Sequence, residues 1–446
     1  MNQLAATPLA PAIPTAPAAP TDDDTARWSL PRRIGFRFVL AYFVIYIAPF
    51  PFELIPIPPL QELLAWPDRR WADLAGWVAE RCFHLPPLVW EQNGSGDRMT
   101  SWMLTLVQLL GAALVALIWS VLDRRRPHYR RLFDWLHLYV RLCLLYFMLS
   151  YGLIKVIKNQ FPMPSPDRLL QPLGQMSPMG LLWTFMGAST PYTIFAGALE
   201  TLGGLLLVFR RTATLGALVC AAVMSNVLML NLCYDVPVKI FSALLLCMAI
   251  FLAAPDLARL FRVLVLHQAV PASTPRGPRF ARRRVRLTTT VLKLLFVGYV
   301  LFGFVASGVE RHAHGDGAPE PAHFGIWEVD DFVQDGQALP PLTTDNERWL
   351  AASFSRSGYL TIRHMNGRRE QFKVQQDAAA HTLTLTDGIT MAPLVLDVED
   401  LDATHLELRG QVHDHYVTVR LHHADDSKQL LLTRGFHWVN DYPNNR

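Results

Sequence analysis

The chain has 446 residues, of which 51% are hydrophobic and 17% charged, with a formal net charge of +4. Its mean hydropathy is positive, +0.20, and the apolar residues lie in long runs, which excludes an ordinary soluble enzyme and points to a polytopic membrane protein. The positive charge does not indicate a nucleic-acid partner: the arginines sit in short loops beside apolar runs, where they set topology, so the expected partner is membrane lipid.

Residues 1–30 are rich in Ala, Pro and Thr, carry Asp22, Asp23 and Asp24, and are expected to be a disordered cytoplasmic tail. They lack the basic start, apolar core and cleavage site of a signal peptide. Arg32 and Arg33 precede a first span over residues 34–52, broken by Pro49 and Pro51. A Pro- and Trp-rich segment follows, with Trp66, Trp71, Trp77 and Trp90 suited to a membrane interface. Within it Trp71, Leu74, Ala75, Val78 and Cys82 recur at helical spacing and predict a surface helix over 68–83. In the loop NGSGDRMTSW, Gly94 and Gly96 permit a turn and Asp97 is placed to cap the next helix.

The second span, residues 100–122, is uncharged and ends in DRRRPHYRR, an arginine cluster expected on the inner side. The third, residues 132–157, carries His137, Arg141 and Lys155, so it should be buried among other helices. A Met- and Pro-rich connection with an interfacial stretch near Trp183 leads to the fourth, residues 192–209, closed by Arg210 and Arg211. The fifth (212–232) and sixth (236–254) are joined by the tight turn CYDVP, and the seventh (287–309) follows a basic stretch. Residues 31–310 thus read as a helical bundle of about seven transmembrane helices. The amino terminus is expected in the cytoplasm and everything after the seventh span outside, in the periplasm if the membrane is a bacterial inner membrane.

From residue 321 to 446 the character changes to a soluble, all-β antiparallel domain. GYLTIRHM, EQFKVQQ, HTLTLTD, HLELRGQ and HYVTVRLHH alternate in polarity and are separated by turn signals, so about eight strands should form a small barrel or sandwich. Gly325 and Trp327 at its start, with Arg434 near its end, resemble the GxW and late-Arg pair of lipocalin-like barrels. His413 and His415 at i and i+2 invite a metal reading, but no third ligand is evident and none is expected to bind. The cysteines, Cys82, Cys143, Cys220, Cys233 and Cys247, show no CxxC and no metal-ligand spacing; Cys82 and Cys233 are the pair that could meet outside.

The most telling residue is Glu200, inside the apolar run AGALETLGGLLLVF. A charge near the bilayer centre costs about 2.5–3.5 kcal/mol or more and so faces protein or water. Gly197 and Gly204, at i−3 and i+4, put Glu200 on a face where another backbone can approach closely. At about 1.5 Å per residue, Glu200 and Arg141 each lie about 13 Å inside their spans, which makes Arg141 the expected partner. Tyr151, Lys155, Asn226, Asn231, Asp235 and Lys239 form a second polar group nearer the outer side, either a vestibule or a set of snorkelling lysines and interhelical asparagine bonds.

YGLIKVIKNQF (residues 151–161) and GALETLGGLLLVFRRTATLGAL (residues 197–218) resemble the DoxX-like family of bacterial membrane proteins, a likeness that extends over 151–254. It implies a four-helix membrane module and, for some members, quinone-linked sulfur or thiol oxidation. Two functions stand open. One is a redox subunit using a bound quinone and a partner protein that carries the cofactor, since this chain has no flavin, haem or nucleotide motif. The other is a non-enzymatic anchor or carrier whose β domain binds a lipid-like ligand or a partner protein. No catalytic residue is assignable from the sequence.

Overall fold

The computed structural model describes residues 27–91, 93–271, 277–278, 280–387, 393–442 and 444; all but the last few residues of the expected tail lie outside them. Among the described residues, six helical segments are long and apolar enough to cross a membrane: Leu30–Leu54, Met99–Leu122, Arg130–Val156, Ala213–Cys233, Lys239–Leu264 and Arg283–His314. A membrane-type helical bundle followed by a closed β-barrel is the fold. The chain divides into two compact units, one of Met1–Cys143 with Thr274–Arg279, the other holding the remainder.

In the first unit α1 (Leu30–Ile47), α2 (Pro58–Leu64), α3 (Trp66–Phe83) and α4 (Met99–Leu122) precede the first half of α5 (Arg130–Val156). Arginines on α1 close the end of α4: Arg37 donates to Ser120 Oγ (2.8 Å) and the Asp123 carbonyl (2.8 Å), and Arg33 to the carbonyls of Arg124 and Arg126 (3.0 Å each). Cations at a helix carboxyl end satisfy its unpaired carbonyls and complement its dipole. The surface helix expected over 68–83 is α3; it seats Ala75 and Ala79 against Met103 and Val107 of α4 and leaves Trp66 and Trp77 exposed. Ala79 completes its buried face, while Leu74 and Cys82, both expected on it, are exposed.

The second unit begins inside α5. The connection carries the short α6 (Pro166–Leu170) and then α7 (Pro178–Ala188), α8 (Thr190–Leu206), α9 (Ala213–Cys233), α10 (Lys239–Leu264) and α11 (Arg283–His314). The expected fourth span is α8. At 17 residues it is about 25 Å long, short for a hydrocarbon layer of about 30 Å. Pro178 and Pro191 sit at the starts of α7 and α8, where a missing N–H costs nothing, and Ser177 and Ser189 accept from Gly180 and Tyr192 as amino-terminal caps.

The β domain comprises β1 (Gly325–Gln334), β2 (Gln337–Ala338), β3 (Trp349–Phe354), β4 (Tyr359–His364), β5 (Arg369–Asp377), β6 (Thr382–Asp387), β7 (Pro393–Asp400), β8 (His405–Val412) and β9 (His415–His423). All pairings are antiparallel. β1 pairs with β9 from Trp327↔His423 to Gln334↔Val417 and closes an eight-stranded up-and-down barrel, while β2 only folds back on the end of β1. Trp327, Phe332, Trp349, Phe354, Leu360 and Phe372 join the inward aliphatics of β6 to β9 in one buried cluster. Eight strands give an interior just wide enough for side chains to fill, and here they fill it, so the barrel interior is a core and not a calyx. A short helix, α12 (Leu430–Thr433), follows β9.

Candidate functional site

Two places in the second unit gather unusual chemistry. The first is the contact of α5 with α8, which touch backbone to backbone because both carry glycine. A Cβ on Gly197 would lie 2.5 Å from the Gly152 carbonyl oxygen and 2.7 Å from Lys155 Cβ, and one on Gly204 would lie 3.2 Å from the side chains of Met148 and Leu149. The helices therefore run antiparallel, with Lys155 and Val156 level with Gly197. That alignment sets the ion pair. Lys155 Nζ donates to Glu200 Oε2 at 2.8 Å, with side chains 8% and 3% exposed, and lies 3.4 Å from the Tyr151 carbonyl oxygen.

The partner of Glu200 is thus Lys155 and not Arg141. Depth counting placed Lys155 near the outer surface because it took the two spans to end at the same level. In fact α8 begins seven residues before Gly197 and overshoots the end of α5. Arg141 is buried on α5 in the first unit. The second polar group does not assemble into a vestibule either. Asn231 donates to Ser242 Oγ (3.0 Å) between α9 and α10, Lys239 pairs with Asp235 (2.9 Å) around the turn, and Asn226 is exposed.

The second place is a cavity of about 820 Å³ between the helix ends and the barrel. Val156 and Ile157 ending α5, Thr190 and Ile194 opening α8, and His312 near the end of α11 form one side. Phe324, Ile326 and the turn Ser355 to Ser357 between β3 and β4 form the other, and Leu432 of α12 with Met163 and the neighbouring prolines complete the wall. Apolar side chains predominate, and the polar groups gather at a few points. Lys158 sits just past α5 in a left-handed conformation (φ 62°), where its Nζ donates to the Gly187 carbonyl at 2.6 Å. Burial pushes its pKa below the ordinary lysine value, and Asp316 offsets part of that shift. Asp316 accepts from the Met163 N–H (2.7 Å), Arg356 donates to the Asp316 carbonyl and to Glu320, and the Arg356 guanidinium lies 5.2 Å over the Phe324 ring. His312 Nδ1 is buried and has no hydrogen-bond partner among the described residues.

Gly325 lies on this wall with φ 126°, and a side chain there would run into the His423 ring, which is the steric reason for glycine. Trp327 donates its indole N–H to the His323 carbonyl (2.9 Å) and takes His423 edge-on at 5.1 Å. Arg434 does not join it, donating to Asn440 at 2.7 Å instead. His413 and His415 serve different carboxylates, Glu370 at 3.4 Å and Asp335 at 2.6 Å. Among the described residues no group of three or more His, Cys, Asp or Glu is arranged to hold a metal, and all five cysteines are free thiols.

Over 118 residues the chain is 35% identical to the uncharacterised protein YwoB of Bacillus subtilis, a match covering 26% of this chain and 73% of that protein. The chain belongs to the YwoB family. No family model and no solved structure matches it. The cavity was not legible in the sequence, because its walls come from separate segments spread between Val156 and Thr433. The one local signal was Lys158, a second lysine one turn beyond Lys155 at the edge of a span.

Proposed function

We propose that this chain is a non-enzymatic, DoxX-like carrier or binding protein of the bacterial inner membrane that holds an amphiphilic, lipid-like molecule between its helix ends and its periplasmic β-barrel. The cavity carries this reading. Its volume of about 820 Å³ falls in the range of small-molecule sites, about 300–1,000 Å³, and it has the usual make-up of apolar walls with a few converging polar groups. Lys158, Arg356, Asp316 and His312 can orient a polar head, while the space between Ile157, Ile194 and Leu432 suits an apolar body. Because the barrel interior is packed, the ligand belongs beneath the barrel, between the end of α5 and the start of α8 that overshoots it.

The orientation is supported by α8. Its first residue, Thr190, lines the same cavity as His312 of α11, and just past its other end the Val208 carbonyl accepts from Lys293 of α11 at 3.0 Å. His312 and Lys293 are 19 residues apart on one helix, which is about 28 Å of depth. Together with its turn, α8 therefore spans nearly a whole hydrocarbon layer despite its length. Counting it gives seven crossings, with an inner amino terminus and an outer barrel, and leaves the start of α11, with Arg283, Arg284 and Arg286, on the inner side as the charge rule requires.

The test is to purify the protein in mild detergent, extract it and identify the amphiphile by mass spectrometry and absorbance, for wild type and for Leu432→Trp, which pushes a larger ring into the cavity. Wild type should retain one species in near-equal amount, and Leu432→Trp should lose most of it. Identical lipid content in both would sink the reading. A quinone as the retained species would return the redox role, with a partner protein, to first place.

A further inference from the structure

Directly after α12, residues 434–442 carry Phe436, Trp438, Val439 and Tyr442 at 77%, 91%, 76% and 84% exposure. Four large apolar side chains within seven residues are an unusual load for solvent. Hydrogen bonds from Arg434 to Asn440 (2.7 Å) and from Asn440 to the His437 carbonyl (3.3 Å) fold the segment into a compact turn, and Phe436 stacks edge-on to Trp438 at 5.0 Å.

Its position decides what covers it. Leu432 and Thr433 of α12 line the cavity together with the ends of α5, α8 and α11, so the segment leaves the barrel at the level where the membrane helices end. Trp438 is five residues beyond Thr433, a reach of up to about 17 Å. The same level is marked on the helices by Phe185, Tyr192 and Phe195, which are exposed and in ring contact. Trp and Tyr concentrate at the membrane–water boundary because their rings are apolar and their N–H and O–H groups are not.

We infer that residues 434–442 are an interfacial anchor, with Phe436, Trp438 and Tyr442 inserted into the headgroup region of the membrane on the side that carries the cavity. The anchor tethers α12, one wall of the cavity, to the lipid surface. The occupant is lipid, and a protein partner or a second copy of this chain is the alternative that the test separates.

The full chain is reconstituted in phosphatidylcholine vesicles with the exposed Cys82, Cys233 and Cys247 replaced by serine. A bimane label is placed at Trp438→Cys or, as a control, at Asp414→Cys in the turn between β8 and β9 at the opposite end of the barrel. Lipids with a nitroxide near the headgroup should quench the label at 438 several-fold more than at 414, and aqueous iodide should favour 414. Equal iodide quenching at both positions with no effect of the nitroxide lipid overturns the proposal. Protection of 438 from both quenchers overturns it as well, in favour of a protein contact.

Discussion

Replacing Glu200 with leucine leaves the Lys155 ammonium with the Tyr151 carbonyl oxygen at 3.4 Å in place of a carboxylate at 2.8 Å. Both side chains are nearly sealed from solvent, so neither charge is rehydrated unless α5 and α8 separate. Losing one member of such a pair costs about 3–5 kcal/mol, while replacing both by apolar residues of similar size can be close to neutral. At about 2–4 °C per kcal/mol for a large domain, Lys155→Met and Glu200→Leu should each lower the apparent Tm in detergent by roughly 10 °C. The double variant should recover most of that, with a coupling energy of about 3 kcal/mol. Arg141→Met combined with Glu200→Leu should be additive within about 0.5 kcal/mol. A double Lys155→Met, Glu200→Leu variant that is as unstable as the sum of its singles refutes the pairing.

Gly197→Val should destabilise by a separate route, because its side chain meets the α5 backbone as well as Lys155; a loss of about 1–3 kcal/mol from overpacking is expected in a detergent melt. In the barrel, His364 at 3.6 Å, then Arg368 at 2.7 Å and His413 at 3.4 Å hold Glu370 down to about 2 from an ordinary 4.5. A depressed carboxyl stabilises the fold above its unfolded value and loses that contribution as pH falls. Thermal stability should therefore decline between about pH 4.5 and pH 2, and Glu370→Gln should flatten that part of the curve. For topology, a reporter active only outside the cytoplasm should be bright after residue 446 and dark after Arg126; two dark fusions would mean that α8 does not cross.

Elements whose signal is local were legible. The spans, the surface helix α3 and the strands β1, β4, β5, β6, β8 and β9 follow from hydropathy period and turn residues, whereas β3 and β7 carry no segment singled out by alternation and the choice of barrel over sandwich rests on the β1–β9 pairing. What failed was registry between elements. Glu200 was recognised as needing a partner, and Gly197 and Gly204 as a contact face, but nothing in one span states where a neighbouring span ends. Residue counting favours Arg141 over Lys155 only if the two spans end level, and α8 overshoots α5. The lipocalin-like Trp and Arg pair failed for a related reason: Arg434 lies beyond α12, outside the last strand, and His423 takes the place beside Trp327.

The two candidate places are joined by three residues of chain. Lys155 is tied to α8 through Glu200, and Lys158, three positions on, is tied to the end of α7 through the Gly187 carbonyl. Between them lie Val156 and Ile157, both on the cavity wall. The helix must stop here: Lys158 takes a left-handed conformation and its N–H bonds back to Lys155, a conformation that costs a non-glycine residue energy unless its surroundings hold it. The buried carboxylate thus acts on the end of the helix and not from the cavity wall. It fixes the height at which α5 ends against α8, and so where the apolar floor of the cavity lies relative to the barrel above it. A charge in hydrocarbon is costly to keep, and a fixed boundary between the helix ends and the cavity is a physical reason to keep one.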